Sequence, residues 1–156
     1  TVIARTIVES GLYGIVFIVI ILSTFIIKKE IILNNVALLF TTYLALVIFS
    51  FGVGLFLMVA SHIYPSIKQL IPLATRPLFF ISGIFISLNA LPQWLRPYLS
   101  WNPILQAIEI TRYSFSETYI IDKSLISVSY LWLTTLISLS IGLYIYSLSE
   151  KKLLTK

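Results

Sequence analysis

Val36 to Ala60 reads VALLFTTYLALVIFSFGVGLFLMVA, a stretch with no Asp, Glu, Lys, Arg or His. At about 1.5 Å per helical residue it is long enough to cross about 30 Å of hydrocarbon. A segment in lipid must satisfy its own backbone hydrogen bonds, so helix is the expected form. The two-residue alternation of a membrane β-strand is missing. The whole chain agrees: 58% of its 156 residues are hydrophobic and 11% charged, with a mean hydropathy of +0.99. A soluble domain carries about 25% charged residues, because its surface must be solvated. Lipid is therefore the solvent for much of this surface.

Working outward, the expected architecture is all-α and polytopic. About four spans are expected, at 7–27, 36–60, 70–88 and 128–148, with a re-entrant helix pair in 89–123 before the last. The first span stops at Lys28-Lys29-Glu30, and Asn34-Asn35 precedes the second. Gly52 and Gly54 have two readings, close helix approach or simple exposure to lipid. The last span is bounded by Asp122-Lys123 and Glu150-Lys151-Lys152. The basic tail reads as an anchor beside anionic lipid. The chain opens at Thr1 and its single methionine is Met58, which suggests a segment of a longer protein. No small-residue cleavage site follows the first apolar run, so a signal peptide is a poor reading.

The third span is unusual. It holds Pro72, Arg76 and Pro77, and its clean apolar run, Leu78 to Leu88, is only about half a bilayer long. Arginine near a helix centre costs about 2.5–3.5 kcal/mol on the insertion scale, so Arg76 is expected near an interface or a wet cavity. All six prolines, from Pro65 to Pro103, fall in this central part. Proline interrupts the backbone ladder, and irregular backbone at membrane depth survives only inside protein or beside water. The functional part of the chain is expected there.

Residues 89–123 alternate apolar pairs with Arg96, Glu109, Arg112 and Glu117 and carry Trp94, Tyr98, Trp101, Tyr113, Phe115 and Tyr119. Pro92 suits the first turn of a short helix ending near Ser100. Asn102-Pro103 gives a second start, with Asn as N-cap and Pro as the first helical residue. Ile104, Ile108, Phe115 and Tyr119 share one face of that helix, and Gln106, Glu109 and Tyr113 lie toward another. Two short helices dipping into the membrane fit this pattern; an extracellular loop with interfacial aromatics fits it as well.

With the C-terminal tail inside, six basic residues face the cytoplasm and five the exterior, which gives almost no orientation signal. The absence of cysteine excludes disulfides and thiolate chemistry. The net charge of +5 is scattered, with no tract of the kind that binds nucleic acid. No G-x-x-x-x-G-K-[ST] phosphate loop occurs, so ATP hydrolysis would need another polypeptide. The only histidine, His62, has no acidic neighbour in sequence and reads as a loop residue. No Ser/His/Asp arrangement appears, so catalytic residues and a metal site are not expected.

The run Arg76-Pro77-Leu78-Phe79-Phe80-Ile81-Ser82-Gly83-Ile84-Phe85, with Leu91-Pro92, Trp101-Asn102-Pro103 and Glu109-Ile110-Thr111-Arg112, resembles the C-terminal half of type-2 ABC export permeases. The likeness is to the capsular-polysaccharide branch. Ile3-Ala4-Arg5-Thr6-Ile7-Val8-Glu9 is similar to the segment after that branch's cytoplasmic coupling helix. The resemblance implies a six-helix permease of the bacterial inner membrane, with this chain supplying the third to sixth helices. Such a permease forms a homodimer, binds ABC ATPase subunits that hold ATP and Mg2+, and moves a lipid-linked polysaccharide toward periplasmic export proteins. It also implies that 89–119 holds the external gate helices and that the tail is cytoplasmic. Pro92, Asn102, Pro103, Glu109 and Arg112 would shape the gate; Arg5, Tyr64 and Lys68 would face the ATPase.

Trp94, Tyr98, Trp101 and Tyr113 would line the substrate path, where flat rings stack on sugars without deep wells. Their alternative is an interfacial belt. Arg76 would attract an acidic polymer or anchor a helix end. Arg96 reads as a solvated loop charge, and Arg112 as an i,i+3 partner of Glu109. Other cargo, such as O-antigen, teichoic acid or a small molecule, remains open, as does a membrane anchor with no transport role.

Overall fold

The computed structural model describes residues 2–28, 35–115 and 118–154. Lys29-Glu30, Asn34 and Glu117, invoked above, lie outside the described residues, as do the side chains of Glu150-Lys151-Lys152. Six helices follow in order: α1 (Val2–Lys28), α2 (Val36–Ile63), α3 (Ile67–Ile81), α4 (Arg96–Leu99), α5 (Pro103–Phe115) and α6 (Val128–Leu154), with one 3-10 turn at Leu88–Ala90. The described residues contain no strand. The chain forms two compact units, Thr1–Leu33 and Asn34–Lys156.

The first unit is α1. It starts earlier than the expected 7–27, and its apolar window is Ala4–Ser23. Arg5 and Glu9 are already helical, joined by an i,i+4 ion pair of 2.7 Å.

In the second unit, α2 and α6 are the other helices long and apolar enough to cross a membrane. Asn35 starts α2 as its N-cap, accepting a hydrogen bond from the Leu38 N–H at 2.9 Å. The two long helices meet along a seam of small residues. The Thr135 hydroxyl reaches the Ala45 carbonyl at 3.4 Å, and the Ser138 hydroxyl reaches that of Phe49 at 3.2 Å. One turn further, a Cβ on Gly142 would overlap the Gly52 carbonyl, and a Cβ on Gly52 would lie 2.6 Å from the backbone of Ser138 and Leu139. The backbones touch because neither position has a side chain. Of the two readings of the α2 glycines, close approach holds for Gly52 and exposure for Gly54, where a Cβ would meet nothing within 4 Å.

These pairs, 45 with 135, 49 with 138 and 52 with 142, advance together along both helices. Helices α2 and α6 therefore run in the same direction. Both begin at one end of the unit, so the chain between them must cross back.

That return corrects the expected 70–88 span. It is made by α3, whose 15 residues cover about 22 Å, short of the roughly 30 Å of a bilayer core. Non-helical residues 82–87 complete it. The prolines do not make the break: the helix continues through Pro72 and Pro77 and ends at Ser82-Gly83. Gly83 has φ 80°, a conformation that suits glycine and stops a helix. Helix α3 packs loosely on α2, and a largely apolar cavity of about 760 Å3 opens between them, bounded by Val53, Gly54, Ile71 and Leu78 and by Asn102 at the start of α5.

Helix α5 ties the unit together. The Asn35 N–H donates to the Ser114 carbonyl at 3.4 Å, linking the end of α5 to the start of α2. The core forms around it from Ala45, Leu88, Leu105, Ile110, Ile126 and Leu131. The more buried face of α5 carries Gln106 and Glu109, while Ile104, Ile108 and Phe115 are half-buried. Leu105, Gln106, Ala107, Glu109, Ile110 and Ser114 are buried, and Tyr119 lies beyond the helix end.

Gly52→Leu and Gly142→Leu are each expected to destabilise the complete protein by about 1–3 kcal/mol, the usual range for overpacking. The change should appear as a lower melting temperature in detergent. Gly54→Leu is expected to stay within about 0.5 kcal/mol, as for surface substitutions.

Candidate functional site

The site is built where the chain leaves α3. After Ser82 the backbone leaves the helical pattern, and the polar groups this frees need partners if they sit at membrane depth. Glu109 and Arg112, one helical turn apart on α5, supply them. The Arg112 guanidinium donates to the Gly83 carbonyl at 2.6 Å and the Ile84 carbonyl at 2.9 Å. It also donates to Glu109 Oε1 at 2.7 Å. The same oxygen accepts the Leu88 N–H at 3.0 Å, and the Tyr119 hydroxyl donates to Glu109 Oε2. Glu109 is 1% exposed, and this buried carboxylate is paired with one cation and accepts from three donors in all. Burial first, and the bond to Glu109 second, push the Tyr119 phenol above its ordinary pKa, so it remains a donor at physiological pH.

The helix pair has its own supports. The Asn102 side chain accepts from the Ile104 N–H at 3.0 Å, and Pro103 is the first residue of α5. Before it, the Leu95 N–H bonds to the Pro92 carbonyl at 3.0 Å in a turn leading into α4. The proline in the first turn of α4 is Pro97, not the expected Pro92. Arg96 is not a solvated loop charge: it donates to the Leu91 and Asn89 carbonyls, each at 2.9 Å, and folds the preceding loop against α4. Asp122, after Tyr119, is held below the usual carboxylate range, chiefly by the Ser124 hydroxyl at 2.5 Å.

Trp94, Tyr98 and Trp101 are 70%, 77% and 78% exposed. All three lie in the short segment that runs from the turn before α4 to the turn after it. Tyr113 is half-buried on α5, and Arg76 is exposed on α3 away from the cavity. The structure thus groups three of the five path candidates. Tyr64 lies in the turn between α2 and α3 and Lys68 in the first turn of α3, both exposed; Arg5 belongs to the other unit. Among the described residues no group of His, Asp and Glu is placed to hold a metal.

Sequence reasoning missed Gln106. Its side chain is 2% exposed, donates to the Ser100 and Leu125 carbonyls at 2.7 Å each, and accepts the Ser127 N–H at 2.9 Å. The available signal was a lone polar residue within the apolar run of α5.

Glu109→Leu would leave the Arg112 charge and the Leu88 N–H without their partner. It is expected to cost about 3–5 kcal/mol, as for other broken buried pairs, and to remove most of the protein from the membrane. Arg112→Lys keeps the charge but not the guanidinium's fork of donors. It is expected to give an intermediate loss on the same immunoblot.

Comparison with known proteins adds a second line. The family described as ABC-2 type transporter matches residues 1–116. Two curated relatives, both described as polysialic acid transport protein KpsM of Escherichia coli, are each 34% identical to the chain over 155 residues, or 99% of it. The chain spans 59% of the length of these relatives. With the family match covering the region from α1 through α5, the chain belongs to the ABC-2 type transporter family.

Proposed function

We propose that the chain forms the greater part of the membrane permease subunit of an ATP-driven exporter that moves capsular polysaccharide across the bacterial inner membrane. The observation that carries this reading is the exposed aromatic face of Trp94, Tyr98 and Trp101. It stands on a helix pair fastened from within by the buried polar side chains Gln106 and Glu109. A sugar polymer offers apolar ring faces between hydroxyl edges, and flat aromatic side chains match those faces without fixing one register. Tyr113 and Arg76 extend the path, and the Arg76 charge suits an acidic polymer. The relatives named as polysialic acid transport proteins support this choice of cargo.

ATP and Mg2+ belong to a partner ATPase. Arg5, Tyr64 and Lys68 face that partner on the cytoplasmic side. Motion reaches the gate through α3: one end adjoins Tyr64 and Lys68, and the other is fastened to α5 through Arg112. The conduit forms between two copies of the permease. The lipid-linked polymer leaves it toward periplasmic export proteins.

Replacing Trp94, Tyr98 and Trp101 together with alanine in the complete permease is expected to lower surface polysaccharide at least about tenfold, equivalent to about 1.4 kcal/mol, with protein levels unchanged. Unaltered surface polymer would remove the aromatic path. Lys68→Glu is expected to weaken co-purification of the ATPase in a pull-down; full retention would take Lys68 out of that interface.

A further inference from the structure

We propose that Gln106 is a positioning residue of this path: through its amide, and with Tyr130 beside it, it fixes the aromatic turn at 100–102 to the head of α6. The proposal rests on the export reading above and assigns the residue that holds the gate in place.

Three pieces of chain meet at this side chain. Ser100 ends the α4 turn, Gln106 stands on the first turns of α5, and Leu125 and Ser127 lead into α6. The amide orientation is set by its partners. Two carbonyls sit 2.7 Å from Nε2 and one N–H donor sits 2.9 Å from Oε1. The flipped amide would set an oxygen against two oxygens. Every hydrogen-bonding atom except the second lone pair of Oε1 is used, and burial excludes water as a substitute. At the next residue along the turn, the Tyr130 hydroxyl donates to the Trp101 carbonyl at 2.9 Å. Residues 100 and 101 are thus each tied through their backbone to α6, while the Trp101 ring stays exposed. A hydrocarbon side chain of similar size could fill the space at Gln106 but could not hold the turn in register.

The discriminating variant is Gln106→Glu, which keeps the shape and removes the two donors. Ionised, the introduced carboxylate opposes both carbonyls in a buried site, which favours its neutral form. Protonated, it donates to one of them and restores part of the contact. The complete permease with its ATPase is used, expressed at external pH 5.5 and shifted to pH 7.5. Surface polysaccharide from Gln106→Glu is expected to fall at least tenfold after the shift and to recover on return. The unaltered protein, measured across the same range, is the control for any response that does not come from position 106. Gln106→Leu is expected to be poor at both pH values, and Tyr130→Phe to lose a few-fold at both. A Gln106→Glu variant in which neither export nor Trp101 emission responds to pH overturns the proposal. If that variant fails to accumulate at either pH, Tyr130→Phe decides, and unchanged export by it overturns the proposal.

A second readout separates this inference from the export reading. With Trp101 as the only tryptophan, its emission in Gln106→Glu is expected to shift between pH 5.5 and 7.5, and that of unaltered Gln106 to stay constant. An emission shift without a change in export upholds the positioning role and sinks the aromatic path. A change in export without an emission shift does the reverse.

Discussion

The bond set around Glu109 and Arg112 answers a constraint that comes before any function. Two long parallel helices in one unit require a return crossing, and here that crossing breaks off as a helix at Gly83. The carbonyls of Gly83 and Ile84 and the N–H of Leu88 then take their partners from α5 instead of from a helix of their own. A lone buried carboxylate or guanidinium would be very costly in such a place. Together they cancel each other's charge, and each bonds a backbone group that would otherwise go without. The ion pair is thus a means of completing the backbone, and Glu109 also draws in Tyr119 from beyond α5.

Much of this was legible in advance because it depended on composition and period. The apolar runs that became α1, α2 and α6 announce themselves by length and absence of charge. The Asn102-Pro103 start of α5 is local chemistry, a capping oxygen followed by a residue with no N–H to satisfy, and the i,i+3 spacing of Glu109 and Arg112 is local too. What sequence reading misjudged was tertiary. Pro72 and Pro77 suggested an interruption, yet a helix with open flanks can accommodate a proline, and a single glycine at positive φ ended it instead. Periodicity separated two faces of α5 but did not say which would be buried. Gln106 and Glu109 are interior because backbone groups from distant parts of the chain need them, and no periodicity encodes that need. The fate of Arg96, turned back on the carbonyls of Asn89 and Leu91, was hidden for the same reason.

The second unit therefore divides its interactions by kind. Helices α2 and α6 are joined by backbone contact at Gly52 and Gly142, with hydroxyl bonds from Thr135 and Ser138. The helix pair α4–α5 is tied to the segment entering α6 by the buried Gln106 and to the start of α2 by the Asn35–Ser114 backbone bond. Helix α3 has neither sort of tie along its length and is fixed mainly at its two ends. Displacing it would break few contacts, whereas parting α2 from α6 would expose a backbone surface that no rotamer change could cover.

The Gly52–Gly142 contact has a consequence for the lipid around the protein. Bilayers differ in thickness, and membrane helices usually respond by tilting or sliding against their neighbours. Helices locked backbone to backbone slide poorly, since any shift in register drives a side chain into the other main chain. A thicker or thinner bilayer would therefore be absorbed by the short, loosely held return crossing, and the unit would feel its host membrane through the element attached to the aromatic turn.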